Sequence, residues 1–345
     1  MSKIICIYHS RDLDGWMSAA IVKKWFNETY PKASSISNLN EDSHTVLPPD
    51  EISTGESLDF LGWDYGDTIP DLFDYDKIIM CDISFPKEDM LHLANRLGIN
   101  FVWIDHHRPK IDEISKYLWE NKAPTIDGLT TRVGELKAAC ELTWKYFFLT
   151  EEMPEIVRLL GRYDCFGGKG TDEWQKILEF QYATRGLISN YEECYSVITM
   201  PFEHQDTFVV TTLEKGKAIY KYLYTEAKQT YSKAFPIEFI FSTTETIPTP
   251  EFGGSELYTT VIKCKFLCVN QERFNPVNFE INYHKEGYDG FACFWYKDSK
   301  WHWSLYNGNE EVDCSIIAKQ FGGGGHKGAA GMVTNTETFL KIINQ

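Results

Sequence analysis

Short apolar runs alternating with amphipathic stretches fill the first two-thirds of the chain. Ile4-Ile5-Cys6-Ile7-Tyr8 is an unbroken apolar run, the pattern of a strand covered on both faces. Residues 58–63, 77–81 and 100–104 repeat it, the first more weakly. Over 87–98, Met90, Leu91, Leu93, Ala94 and Leu97 recur at helical spacing and stop at a glycine, which predicts a helix. A longer helix is predicted after Gly134, through Ala138, Ala139, Leu142, Trp144 and Phe147. Over 199–212 both periods fade. A helical pattern then runs over 213–234, through Leu213, Gly216, Ile219, Tyr220, Leu223 and Ala227, until Pro236. Strand-like runs follow at 237–241, 258–269, 290–296 and 301–306, then a helix at 314–320 before a glycine cluster. The expected fold class is therefore α/β. An N-terminal mostly parallel sheet flanked by helices spans 1–212, a linker helix 213–235, and a smaller C-terminal α/β domain 236–345.

Charge narrows the partners. The 345 residues carry 34 Lys and Arg against 50 Asp and Glu, a net −16. Such a chain lacks the positive field of a broad duplex-binding surface, so no long duplex is expected. A small phosphate-bearing substrate stays open if metal ions supply positive charge locally. No apolar run is long enough to cross a bilayer, and the first one is too short for a signal peptide, so no membrane association is expected. Nine cysteines without a C-x-x-C suit a reduced, cytoplasmic chain.

Three of the strand-like runs end in groups of the metal-ligand type. The first leads into His9-Ser10-Arg11-Asp12-Leu13-Asp14, the second into Asp82, and the third into Asp105-His106-His107. An aspartate after a strand is by itself usually a turn or cap residue. In an open parallel sheet, however, groups just past the carboxyl ends of the strands converge on one crevice. Carboxylates and neutral imidazoles together suit Mn²⁺, Fe²⁺ or Zn²⁺. Two such ions about 3.5–4 Å apart suit in-line displacement at phosphorus.

At these residues the sequence resembles the DHH phosphoesterase superfamily. Asp105-His106-His107 matches its name-giving triad. His9 to Ala19 is similar to the first motif, Cys81-Asp82-Ile83-Ser84 to the second, Gly134 to Tyr146 to the third, and Gly161-Arg162-Tyr163-Asp164 to the fourth. Phe321 to Gly331 resembles the glycine-rich loop of the DHH-associated domain. The resemblance implies a DHH domain followed by a smaller substrate-binding domain, and two divalent ions, manganese first, with magnesium, cobalt or iron as alternatives. His9, Asp12 and Asp82 would hold one ion. Asp14, Asp82, His106 and Asp164 would hold the other, with Asp82 bridging. A water of lowered pKa between the ions would be the nucleophile. His107 would contact the scissile phosphate, and Asp105 would orient the histidines. Two departures stand out. The family commonly has three residues between the first histidine and the first aspartate, where two separate His9 from Asp12, leaving Tyr8 or a water as another occupant. The associated domain often carries Ser-Leu-Arg-Ser, where this chain has Ser304-Leu305-Tyr306-Asn307.

Further contacts to substrate are expected from Arg108 and from Gly322, Gly323, Gly324, Gly325 and His326. Glycine amides can approach an anion closely, although a glycine run alone is more often a turn. Trp295, Tyr296, Trp301, Trp303 and Tyr306 include a base-stacking platform as one reading and ordinary core as the other. Cys264 and Cys268 read as buried thiols. The leading function is a manganese-dependent phosphodiesterase, of exonuclease type, acting on short single-stranded oligonucleotides or dinucleotides, with homodimer formation left open. The alternatives are an exopolyphosphatase or pyrophosphatase, a nucleotide phosphomonoesterase, and a non-enzymatic nucleotide sensor. The sensor reading is disfavoured because the ligand-type residues are all present.

Overall fold

The structure, a computed structural model, describes residues 2–31, 35–40, 55–132, 134–249, 254–272, 274–279, 286–308, 311–325 and 327–344. It divides into two compact units, Met1–Tyr220 and Lys221–Gln345.

The first unit opens with β1 (Lys3–His9), α1 (Leu13–Thr29), β2 (Ser35–Asn38), β3 (Ser57–Trp63), β4 (Lys77–Cys81), α2 (Lys87–Leu97), β5 (Phe101–Ile104) and α3 (Arg108–Glu120). Its strands lie parallel in the order β2-β3-β1-β4-β5. The apolar runs are unbroken because both faces are covered. Ile5, Ile7, Ile78, Met80, Phe101 and Trp103 pack with Met90 and Leu93 of α2 and Ile111 and Ile114 of α3. The alternate residues Ile4, Cys6, Ile79, Cys81, Val102 and Ile104 pack with Ala19, Val22 and Phe26 of α1. Gly98 ends α2 at φ +54° and starts a short 3₁₀ turn, so β5 begins at Phe101 rather than Asn100. From β1 the chain passes to the β2–β3 side, and from β4 to the β5 side. The crevice beyond the carboxyl ends of β1 and β4 is therefore the topological switch point, where α/β sheets bind ligands.

A helical layer follows: α4 (Ala139–Phe147), α5 (Glu155–Asp164), α6 (Glu173–Thr184), α7 (Tyr191–Ile198) and α8 (Phe202–Tyr231). It packs on α1 through Met17 and Ile21, with Trp144, Leu160, Trp174 and Phe180. Two sequence expectations need correction. The helix after Gly134 starts only at Ala139, where the extended Ala138 is the cap, and its first amides donate to side chains: Ala138 N–H to Glu141, and Ala139 and Cys140 N–H to Asp14. Most of 199–212 is also helical, as the start of α8. Its period is masked because Val209 is buried while Phe202 and Val210 are exposed, which puts apolar side chains on both faces.

The second unit holds β6 (Phe235–Thr249), β7 (Gly254–Asn270), β8 (Gly290–Lys297), β9 (Lys300–Asn307), α9 (Cys314–Gln320), β10 (Gly324–Gly325), β11 (Ala329–Thr334) and α10 (Thr336–Ile343). The sheet order is β10-β11-β9-β8-β7-β6, antiparallel except for β7–β8. Pro236 and Pro248 sit on the edge strand β6, where a missing donor is tolerated. One face, through Phe294, Trp303, Leu305 and Met332, packs with Ile317 of α9 and Phe339 of α10. Trp303 is buried there, and Trp301 lies flat on Phe339 at 3.7 Å, so both are core rather than platform. Cys264 and Cys268 are buried. All nine cysteines are free, and Cys165 alone is not fully buried.

Candidate metal centre

β1 delivers His9 to the crevice, and the turn into α1 brings Asp12 and Asp14 beside it. Asp12 caps α1, its Oδ1 accepting from Gly15 N–H at 2.9 Å. Its Oδ2 lies 2.8 Å from His9 Nδ1. Gly15 is needed because a Cβ there would fall on the His9 carbonyl. Asp14 is buried in the first turn of α1, and its two oxygens accept the Ala139 and Cys140 amides at 2.9 and 2.8 Å. A helix N-terminus thus fixes this carboxylate.

Asp82 follows β4 with a left-handed backbone, φ +62°, and is 1% exposed. Its Oδ2 is 3.5 Å from His9 Nδ1, and its Oδ1 is 3.3 Å from His106 Nε2 and 3.9 Å from His107 Nδ1. Asp105, fully buried after β5, accepts the backbone N–H of His106 and of His107 and sits 2.8 Å from His107 Nδ1, which fixes that ring. Asp164 closes the group from the end of α5, 3.0 Å from His106 Nε2. The end of α5 is clamped to α4 by Arg162, which donates to the buried Glu141 and, at 2.7 Å, to the Leu136 carbonyl.

Three overlapping trios result, each with ligand atoms within 4.8 Å of one another: His9, Asp12 and Asp82; Asp82, His106 and His107; Asp14, His106 and Asp164. The atoms point at one another more than they pair. His9 Nδ1, both Asp82 oxygens and His106 Nε2 are buried without a hydrogen-bond partner, so the 2.8 Å contact of His9 with Asp12 is not aligned as a hydrogen bond. Buried polar atoms are ordinarily satisfied. Unsatisfied carboxylate and imidazole atoms that converge from several elements fit a shared divalent cation. The electrostatics agree. Burial, then the neighbouring carboxylates of Asp82 and Asp164, pushes the Asp14 carboxyl well above its usual range. Burial opposes the charge on His9, yet Asp12 and Asp82 beside it hold its pKa up to about 11.

Tyr8 is buried, its ring edge-on to Tyr191 at 5.5 Å. The Arg108 guanidinium is engaged by Asp112 and, at 2.7 Å, by the Thr131 carbonyl. In the second unit Gly322 and Gly325 take positive φ and Gly324–Gly325 pair with β11, so this run is a turn into a short strand. His326 lies outside the described residues. The sequence reading missed Asp64, whose Oδ1 is 3.5 Å from His9 Nε2 and whose Oδ2 accepts from Arg11 at 2.6 Å. The signal was present: Asp64 directly follows the weaker strand 58–63, and the strand-end rule applies to it as well.

Residues 3–160 match the family model for the DHH family, N-terminal domain. This stretch of the chain is a DHH-family domain. An uncharacterized protein of Acanthamoeba polyphaga mimivirus is 23% identical over 332 residues, 95% of this chain and 66% of its own length, so the chain spans just under two thirds of that relative. Two solved structures are similar along the whole chain. A pGpG-specific phosphodiesterase from Vibrio cholerae matches with a TM-score of 0.44 and 12% identity, over 99% of this chain and 95% of that one. An exopolyphosphatase-related protein from Bacteroides fragilis matches with a TM-score of 0.42 and 13% identity, over 100% and 91%. At these scores neither bears on the reaction.

Proposed function

We propose that the chain is a divalent-metal-dependent phosphoesterase that hydrolyses phosphodiester bonds of short oligonucleotides or dinucleotides. The observation that carries this reading is the set of unsatisfied ligand atoms around Asp82 at the switch point of the sheet. His9, Asp12 and Asp82 would hold one ion, and Asp14, Asp82, His106 and Asp164 the other. When bound, the ions, with manganese the first choice, would polarise the phosphoryl group and lower the pKa of the attacking water. The chain's residues do the rest. Asp82 would serve both ions, Asp105 fixes the His107 ring, and His107 would meet a phosphoryl oxygen. Arg108 of the first unit, and Gly322, Gly323, Gly324, Gly325 and His326 of the second, are each proposed as substrate-binding residues. The net −16 sets the substrate short, because an extended backbone requires a basic track.

The test is to incubate the protein and Mn²⁺ with pApA, a five-residue RNA, a cyclic dinucleotide, pyrophosphate, polyphosphate and adenosine bisphosphate, then separate the products. Mononucleotides released from pApA or the short RNA are expected. Cleavage confined to pyrophosphate and polyphosphate, or to the phosphomonoester, would move the protein to that class.

A further inference from the structure

Asp14 and Asp164 reach one ligand trio from two different helices, α1 and α5, and the first turn of α4 meets the support of both. On one side the Ala139 and Cys140 amides hold Asp14. On the other, Glu141 of the same turn accepts from the Arg162 guanidinium of α5. The Glu141 carboxylate is 2% exposed, takes the Ala138 N–H at 3.1 Å and lies 3.7 Å from Lys137 Nζ. Arg162 also donates to the Leu136 carbonyl at 2.7 Å, so one guanidinium ties α5 to both side chain and backbone at the start of α4. The two helices come this close because Gly161 has no side chain: a Cβ there would stand 2.5 Å from Glu141 Cγ. Residues two apart in a helix lie roughly 200° apart around its axis. Arg162 therefore grips from one side of the last turn of α5, while Asp164 leaves from the other and stands 3.0 Å from His106 Nε2. A guanidinium fork fixes angle as well as distance.

We infer that Glu141 and Arg162 are positioning residues for the ion that Asp14, His106 and Asp164 would hold. Neither belongs to a ligand trio. Their contact sets Asp164 against Asp14 through a single turn of α4. His9 and Asp12 have other supports: β1 carries the first, and the Gly15 amide holds the second. Stability is a weak reason for such a pair, because well-packed apolar residues in place of a buried ion pair often do as well. Geometry is the stronger one, since partners of ligand-bearing segments tune how the ligands meet a metal. The inference rests on the proposed metal-dependent reading and deepens it: the two ions would depend on different parts of the fold.

The experiment is titration calorimetry of Mn²⁺ into the full chain, with the melting temperature of each variant measured in EDTA. Wild type is expected to take two Mn²⁺. Arg162→Met should weaken one of them about tenfold to a hundredfold, the range for losing a partner that orients a ligand, and leave the other nearly unchanged. Gly161→Ala should do the same by prying the pair apart; it removes no charge and favours the helix, so it covers an Arg162 variant that fails to fold. Arg158→Met breaks a pair on the same helix that runs to Glu155 and to Glu173 of α6 instead. It should lower the melting temperature and leave the isotherm alone. Glu141→Gln combined with Arg162→Met should cost no more than the larger single loss, because both act through one contact. Wild-type isotherms for Arg162→Met and Gly161→Ala, equal weakening of both ions, the same loss in Arg158→Met, or additive losses in the double variant would overturn the inference. Two bound Mn²⁺ without any phosphoester cleavage by the wild type would remove the enzymatic reading and leave the pair its role. A wild type that binds no Mn²⁺ would remove both.

Discussion

Asp82 combines three uncommon properties: a left-handed backbone, nearly complete burial and two unpaired carboxylate oxygens. A left-handed residue other than glycine costs about 1–3 kcal/mol and persists where its surroundings impose it. Aspartate and asparagine tolerate this conformation best, so Asp82→Asn isolates the charge from the backbone. Titration calorimetry of that variant should show fewer than two Mn²⁺ bound and assays should show no turnover, while its melting temperature in EDTA holds. Two bound Mn²⁺ with near-normal turnover would sink the assignment. Asp64 lies at one remove from the proposed metal centre, its Oδ1 3.5 Å from His9 Nε2. Partners of this kind orient a ligand, and losing one typically costs 10–100-fold in metal affinity. Asp64→Ala should weaken the tighter or looser of the two Mn²⁺ sites by about that factor and leave the other alone. An unchanged binding isotherm would reduce Asp64 to a surface partner of Arg11.

Elements present these residues only because the backbone approaches closely at a few points. Gly15 lets α1 start against the end of β1. Gly15→Ala should destabilise the protein by about 1–3 kcal/mol, as overpacking does, and displace His9 as α1 shifts. A urea midpoint equal to wild type would show that the turn absorbs the methyl group. The elements also show what a sequence can reveal. β1, β4 and β5 were legible because both faces are buried, and α9 because Asp313 caps it and its apolar period is clean. The start of α8 was hidden by exposed Phe202 and Val210. Short β2 carries too few residues for a period to stand out, and β11 opens on the small residues Ala329-Ala330-Gly331, which give no apolar alternation to read. The clustering residues followed from strand ends and motif matches. Asp64 escaped because its strand was weak.

For the molecule as a whole, the acidic crevice predicts unequal stability of its two units. Asp12, Asp14, Asp82 and Asp164 crowd one site of the first unit, and ligands that bind only the folded form add RT ln(1 + [L]/Kd) to its stability. At a hundredfold excess over Kd, each bound Mn²⁺ should contribute about 2.7 kcal/mol. Calorimetric scans with EDTA and with Mn²⁺ should show one transition moving upward and the transition of Lys221–Gln345 staying in place. A uniform upward shift of both would mean the units melt together.

The burial of the cysteines bears on how the centre can be watched. Eight of the nine are buried, and the remaining one, Cys165, directly follows Asp164. Burial still holds the Cys165 thiol up to about 11, so alkylation at neutral pH is slow and waits on local opening at the end of α5. Under native conditions a thiol reagent should therefore add a single label, read by mass spectrometry at Cys165, whereas the denatured chain takes nine. Labelling spread over several cysteines of the native protein would contradict this. The labelling rate is then a built-in clock for the segment that carries Asp164, readable without substrate, turnover or any engineered probe.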